Sequence, residues 1–427
     1  MMNIAIYTLT SELHDKKAEN VQRSPFSDGA ECGVAISDGN IVYDFRGSDY
    51  ADYGSHPLDL IYVQTGGTEG IFKRLLPKLR QQSSRPFYLL TSGKSNSLAA
   101  SMEILSFLRQ NGLRGEIIHG SPDYIARRIR LLEKVGEGRE RLRGCRLGII
   151  GEPSDWLISS GFDRERVKAL LGIELMDIPM QELLDELAEK EKENVQRSWT
   201  EPSVALQSRT EPSVALQSTF TVQRALPGAM RIYDALKVIV ERYGLQGFTI
   251  RCFDLLTTVH NTGCLALAKM NAEGIVAGCE GDVPAMLSMM IVQSLLGVSG
   301  FQANPASIDP STGEMVFAHC TIPFNMVERY EMDTHFESGI GVGIRGYMKE
   351  GPVTIFKVSG SLDRHFAEEG YLIKSQAKPD LCRTQQVIRL SDKSKTTYFL
   401  TEPIGNHHII VPGHHRQLLE EMIPTGV

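Results

Sequence analysis

Two acids flank a glycine in Cys279-Glu280-Gly281-Asp282. They sit between a strand-like run and an apolar helix in FTIRCFDLLTTVHNTGCLALAKMNAEGIVAGCEGDVPAMLS, Phe248–Ser288. One reading is structural: Asp282 suits a helix start, where the dipole favours negative charge, and Glu280 is a solvated turn acid. The other is chemical and draws on polar groups bordering apolar runs downstream. These are Asn304 and Asp309 in FQANPASIDPSTG, His319 in MVFAHCTIP, and His407 with His408 in IGNHHIIVPGHH. Carboxylate, carboxamide and imidazole together suit Mn²⁺ or another divalent cation better than the thiolate sets that select structural zinc. Each histidine taken alone also fits a hydrogen-bonded structural role.

A second polar group lies near the N-terminus. Gln64-Thr65-Gly66-Gly67-Thr68-Glu69 and Ser92-Gly93-Lys94-Ser95-Asn96-Ser97 each follow a strand-like run and precede a helix. Free N–H groups and glycines there admit a ligand closely. Neither matches G-x-G-x-x-G or G-x-x-x-x-G-K-[ST], so nucleotide binding has little support. Ordinary capped turns are the alternative.

The elements that must position these residues follow from the hydrophobic pattern. From Leu58, short apolar runs alternate with amphipathic stretches: DLIYV, a helix over Phe72–Gln81, PFYLL, a helix over Leu98–Asn111, and GEII. That is βαβαβ, the signature of a parallel sheet with helices on its faces. A second cycle opens with RLGII after Cys145, continues through helices over Arg164–Leu171 and Met180–Lys192, and resumes with GFTIRCFDLL. After Phe317 short β-rich runs dominate: VFAHCTIPF, GIGVGIRG, PVTIFKVSG, CRTQQVIRL, TYFLTEP and HHIIVPG, closed by a helix over Gln417–Met422. The expected fold is α/β, with two Rossmann-like parallel-sheet domains (1–144 and 145–316) followed by a C-terminal antiparallel β domain or barrel (317–427). TEPSVALQS occurs at Thr200–Ser208 and again at Thr210–Ser218, and ENVQRS at Glu19–Ser24 and Glu193–Ser198. Two tandem copies are too few for a solenoid, so 193–218 reads as an exposed linker.

With 427 residues the chain is long enough for two or three cores. A formal charge of -7 provides no basic field for a nucleic-acid partner. The start lacks the pattern of a signal peptide, and the longest apolar stretch, around Val283–Val298, is too short and polar to span a bilayer, so a cytoplasmic location without membrane contact is expected. Seven scattered cysteines without a C-x-x-C pair argue for reduced core thiols.

The words FTIRCFDLL, TGCLAL, CEGDVPAM, VFAHC, HFESG, CRTQ and GNHHIIVPGH together resemble the L-fucose/L-arabinose isomerase superfamily, specifically its shorter fucose-isomerase-like members. The resemblance runs from about Leu58 to the C-terminus. It implies two α/β domains and a β domain, a divalent metal that is usually manganese, and aldose–ketose isomerisation of a monosaccharide. It also implies a homo-oligomer, a trimer or hexamer, whose subunits complete one another's sites. Residue by residue, Glu280 falls on the carboxylate that binds metal and exchanges the substrate proton. His407 falls on the C-terminal metal histidine of the fucose branch; the arabinose His-His pattern selects His408, which otherwise contacts sugar. His319 matches a metal histidine of the arabinose branch. Gln64, Thr65, Ser95 and Asn96 line a sugar site in this view, in their own subunit or a neighbour's.

The chain departs from the family at one position. The second metal carboxylate, 24 residues after Glu280, is Asn304 here. An Asn carbonyl coordinates a hard cation but carries no proton. Asp309, five residues on, is the expected substitute in catalysis. The rival expectation is a catalytically silent sugar-binding relative.

Overall fold

Along the first ordered segment, Ala5, Tyr7 and Leu9 join one apolar cluster while Ile4 and Ile6 join another. This is the period-two alternation of a strand buried on both faces. The segment is strand β1 (Ile4–Leu9) of a computed structural model that describes residues 4–11, 43–47, 50–194 and 212–423. With β2 (Tyr43–Gly47), β3 (Leu58–Val63), β4 (Phe87–Leu90) and β5 (Gly115–Ile118) it forms a parallel sheet of order β2-β1-β3-β4-β5. What reads in sequence as a short apolar patch is therefore an interior strand. Helices α1 (Glu69–Gln82) and α2 (Ser97–Gln110) cover one face through Phe72, Leu76, Leu79, Ala100, Ile104 and Leu108. Helix α3 (Pro122–Leu142) covers the other through Ile125, Ile129 and Leu132. Each set repeats at the three- and four-residue spacing of an amphipathic helix. Residues Met1–Glu140 make one compact unit and Arg141–Gly426 another.

The second unit begins with β6 (Arg146–Ile150), α4 (Arg164–Leu171), β7 (Glu174–Ile178), α5 (Met180–Asn194), α6 (Pro212–Tyr243) and β8 (Gly247–Ile250). It continues through α7 (Asp254–Thr258), α8 (Cys264–Ala272), β9 (Val276–Gly278) and α9 (Val283–Leu296). Its strands form a parallel sheet of order β7-β6-β8-β9. The expected linker needs correction: the second TEPSVALQS copy enters α6 at Pro212, while 195–211 lie outside the described residues. Pro pre-set at a helix start, followed by Val-Ala-Leu-Gln, explains why helix wins there. Helix α9 is buried nearly all round because it packs against both the sheet and the strands that follow. No described helix is long and apolar enough to cross a membrane.

Those strands are β10 (Phe301–Asp309), β11 (Glu314–His319), β12 (Arg329–Asp333), β13 (Gly343–Tyr347), β14 (Gly351–Val358), β15 (His365–Gln376), β16 (Thr384–Leu390) and β17 (His408–Pro412). Six close into an antiparallel barrel of order β10-β11-β16-β15-β14-β17, and β12 pairs with β13 as a separate hairpin. The barrel opens with β10, ahead of Phe317, where Asn304, Pro305 and Ser307 break the apolar alternation. TYFLTEP, expected as strand, is instead helix α10 (Thr396–Thr401). Its Tyr398 ring stacks 3.9 Å from Phe366 and its Phe399 ring lies 4.8 Å from His408, so packing overrides β-propensity. Helix α11 (Arg416–Met422) ends the described chain much as expected. Helices α6 and α8 share a core with the barrel and the hairpin, in which Val222 and Ala229 of α6 and Leu265 and Ala268 of α8 meet Phe301, Phe317 and Ile344.

Candidate metal centre

The site grows from a strained turn at the carboxyl end of β9, the edge of a parallel sheet where ligands usually bind. Glu280 and Gly281 both adopt left-handed backbone, with φ of 64° and 70°. That conformation is costly for glutamate and marks functional sites. Gly281 is required, since a Cβ there would lie 2.7 Å from the Glu152 carbonyl oxygen and 2.7 Å from the Pro153 Cα. The Cys279 N–H donates to Gln302 Oε1 at 2.9 Å, tying this turn to β10. Asp282 then caps α9 by accepting the Ala285 N–H at 2.8 Å. Asp282 therefore plays the structural part read from sequence, and a second part besides.

That second part is to orient His407. Asp282 Oδ2 lies 2.8 Å from His407 Nδ1, turning Nε2 toward Glu280, whose Oε1 is 3.4 Å away. His319, at the end of β11, brings its Nε2 to 3.6 Å from the same oxygen. One ligand atom from each of Glu280, His319 and His407 lies within 4.8 Å of the others, and all three residues are buried. His319 Nδ1 is engaged by Thr321 Oγ1 at 3.1 Å, so Nε2 is its free face. Behind this set, fully buried Lys357 places Nζ 3.5 Å from Asp282 Oδ2. A carboxylate that fixes a ligating histidine is a recurrent support of metal sites.

The electrostatics match the geometry. Burial opposes the charge on Glu280, yet the imidazoles of His407 and His319 hold its carboxyl far below the usual range. Burial likewise opposes Asp282, but Lys357 and His407 hold it down at about 2. Burial alone would lower His407, whereas Glu280 and Asp282 push it up to about 9. Burial leaves His319 below the ordinary imidazole value. Glu280 is thus an ionised acid facing two buried imidazoles, a donor set that could hold a cation.

Asn304 on β10 joins this group: its Oδ1 is buried with no hydrogen-bond partner, as is His407 Nε2. Both atoms are left for a ligand to satisfy. Asn304 also lines a pocket together with Glu280, His319, His335 and Glu337. Trp156 stands half-exposed and donates its indole N–H to Glu280 Oε2 at 2.6 Å. Its ring meets Phe253 edge-on at 4.8 Å, and Phe253 meets His335 at 5.7 Å, forming an aromatic wall. Cys252, Cys264, Cys279, Cys320 and Cys382 also line the cavity, a convergence their scatter in sequence did not announce. All five are free thiols; Cys32 lies outside the described residues.

Two sequence expectations need correction. Asp309 sits exposed at the far end of β10, roughly 15 Å along the strand from Asn304. Its carboxylate accepts from Ser311 and Thr312 in the β10–β11 turn, and those hydroxyls hold its carboxyl down at about 2. It serves the turn and not the site. His408, the first residue of β17, instead packs its ring against Tyr398 and Phe399. Tyr398 Oη and the Asn406 carbonyl engage its ring nitrogens at 3.0 Å each, and burial pushes its pKa down to about 3.

The N-terminal group lies in the first unit. Gln64 and Thr65 follow β3, and Gln64 Oε1 accepts from Thr10 Oγ1 at 2.6 Å. Ser95 and Asn96 adopt left-handed backbone, with the Ser95 carbonyl accepting from Gly66 at 2.7 Å. These four residues thus gather at the carboxyl edge of that sheet. Sequence reasoning passed over Lys357 and Trp156. A lone lysine inside VTIFKV was a usable signal, because lysine is rarely buried unless paired.

No family model matches the chain. Its similarities fall among sugar isomerases, the class to which the motifs also point. Over 280 residues it is 24% identical to sulfoquinovose isomerase of Priestia aryabhattai, a match covering 63% of this chain and 60% of that one. Sulfoquinovose isomerase of Clostridium sp. (strain MSTE9) is 24% identical over 290 residues, 67% of this chain and 60% of its own. That of Alkalicoccus urumqiensis is 25% identical over 273 residues, 62% and 59%. The chain spans about three fifths of the length of these curated relatives.

Proposed function

We propose that this protein is an aldose–ketose isomerase that acts on an open-chain monosaccharide with a divalent cation, Mn²⁺ foremost. The observation that carries the reading is the buried Glu280–His319–His407 set, with the Asn304 Oδ1 and His407 Nε2 atoms unpartnered and Glu280, His319 and Asn304 lining one pocket. A mixed carboxylate, imidazole and carboxamide set fits a cation of this kind. Glu280, His319, His407 and Asn304 would hold it. Bound there, it supplies Lewis acidity to the two sugar oxygens on which charge develops.

The chain's own groups do the rest. Glu280, kept ionised by its imidazole neighbours, removes the proton from C2 and returns it to C1. Trp156 holds the carboxylate through Oε2 and, with Phe253, offers an aromatic face to the apolar side of the sugar. Asp282 and Lys357 fix the orientation of His407. Sulfoquinovose heads the list of substrates to test because the relatives carry that name. In this reading the polar edge of the first unit, with Gln64, Thr65, Ser95 and Asn96, serves a sugar site in a homo-oligomer; the family resemblance supports that assembly and a cytoplasmic setting.

A second reading, a silent sugar-binding relative, is favoured by one observation, the loss of a carboxylate at Asn304. Ketose formation from sulfoquinovose, L-fucose, D-arabinose and L-arabinose, with Mn²⁺ and after chelation, separates the two. Turnover that stops on chelation and returns with Mn²⁺ supports the isomerase. Sugar binding without turnover on any aldose supports the silent relative.

A further inference from the structure

We propose that Glu337 is a second catalytic residue of this site, carrying the hydroxyl proton between the two sugar oxygens while Glu280 carries the carbon-bound one. The inference rests on the isomerase reading above. Moving a carbonyl from C1 to C2 relocates two protons, one from C2 to C1 and one from O2 to O1. One carboxylate at Glu280 serves the first transfer. Asn304 has no proton to give or take, and Asp309 is bound up in a distant turn.

The cavity offers few other carriers. His319 and His407 present one nitrogen to the proposed cation and have the other engaged by Thr321 and Asp282. His335 has Nδ1 beside Ser338 Oγ at 3.0 Å, and burial pushes its pKa down to about 4. Glu337 lines the same cavity from an exposed position on its loop, and its carboxylate has no hydrogen bond or ion pair with any described residue. Partial burial and the nearby charge of Glu280 push its carboxyl above the ordinary glutamate value.

The loop that carries Glu337, HFESG between β12 and β13, is pinned at both ends. Arg383 Nε donates to the Thr334 carbonyl at 2.7 Å on one side. On the other, the Val342 N–H donates to Thr262 Oγ1 at 2.9 Å, and that hydroxyl donates to the Val342 carbonyl at 2.8 Å. Within the loop, the His335 N–H donates to the Ile340 carbonyl and the Gly339 N–H to the His335 carbonyl, both at 2.9 Å. A reactive group needs such a fixed support, which the backbone of this loop supplies at the edge of the cavity.

The transfers balance. Protonated Glu337 gives its proton to O1 as Glu280 takes the proton from C2. The C2–H pair becomes the C1=C2 bond, and the former C1=O π pair forms the new O1–H bond. The O2 hydroxyl then returns a proton to Glu337 and its electron pair closes C2=O. The C1=C2 pair captures the proton from Glu280 at C1. Both carboxyls end as they began.

The test compares wild type, Glu337→Gln and Glu337→Asp, all loaded with Mn²⁺, on the aldose that wild type converts. The expected result is a loss of 10²–10⁴-fold in kcat for Glu337→Gln, with metal content, melting temperature and KM near wild type and partial recovery in Glu337→Asp. A Glu337→Gln kcat within about threefold of wild type overturns the proposal, as does loss of metal or of the fold in that variant. Wild type inactive on every aldose overturns the isomerase reading itself, which is a different failure.

Discussion

Asp282→Asn isolates one charge among three buried partners. The substitution keeps shape and keeps an oxygen for the Ala285 N–H, so the cap on α9 survives. It removes the negative charge that faces Lys357 Nζ at 3.5 Å and His407 Nδ1 at 2.8 Å. The carboxyl held at about 2 instead of the ordinary 3.8 corresponds to about 2 kcal/mol of net stabilisation of the charged form. An unpaired buried lysine adds to the loss, so the variant should cost about 3–5 kcal/mol, as broken buried pairs do. Lys357→Met removes the stranded cation, and the double variant should therefore be more stable than the sum of single losses predicts by about 2 kcal/mol. Mn²⁺ affinity should fall 10–100-fold in Asp282→Asn, because His407 loses its orienting partner. Urea unfolding of the four proteins and calorimetric Mn²⁺ titration measure both. Additive losses within about 0.5 kcal/mol, together with unchanged Mn²⁺ affinity, would refute the reasoning.

Asp309→Asn should leave ketose formation within about twofold of wild type, since its carboxylate serves an exposed turn; a steady-state assay reads this directly. Gly281→Ala should lower stability by at least about 2 kcal/mol, from left-handed backbone and overlap with Pro153, and thermal unfolding with metal analysis checks it. Stability should also carry an acid limb from Asp282. Its folded value lies below the unfolded one, so its contribution is full above about 3.8 and disappears as pH falls toward 2. Melting curves from pH 6 to pH 2 should show that limb in wild type and a weaker one in Asp282→Asn.

Much of this architecture was legible in the sequence because it obeys simple periods. The runs from Leu58 to Ile118 alternate as βαβαβ, and α4 ends at Gly172 in left-handed backbone after starting behind the Asp163 cap. β1 escaped because six apolar residues beside a polar stretch do not reveal that two cores enclose them. α10 escaped because Thr, Tyr and Phe favour strands until Phe366 and His408 supply a reason to coil. At the site, Glu280, His319 and His407 were readable as residue types bordering apolar runs, and the structure brings them together. The choice between His407 and His408 needed the strand register, which alone says which ring faces Glu280. Asp309 misled because nearness in sequence along an extended strand is distance in space. Lys357 left a signal in VTIFKV, but its partner Asp282 lies far off in the sequence, and no local pattern names it.

The central claim is that a divalent cation sits among Glu280, His319, His407 and Asn304 and there meets the two oxygens of a sugar. Crystals grown with Mn²⁺ and a sugar alcohol, measured for anomalous scattering of manganese, address it most directly. The account predicts one peak about 2.0–2.6 Å from Glu280 and His407 ligand atoms, with adjacent hydroxyls of the polyol turned toward it. A set that stays free of manganese at millimolar Mn²⁺, or a polyol seated elsewhere, would contradict it.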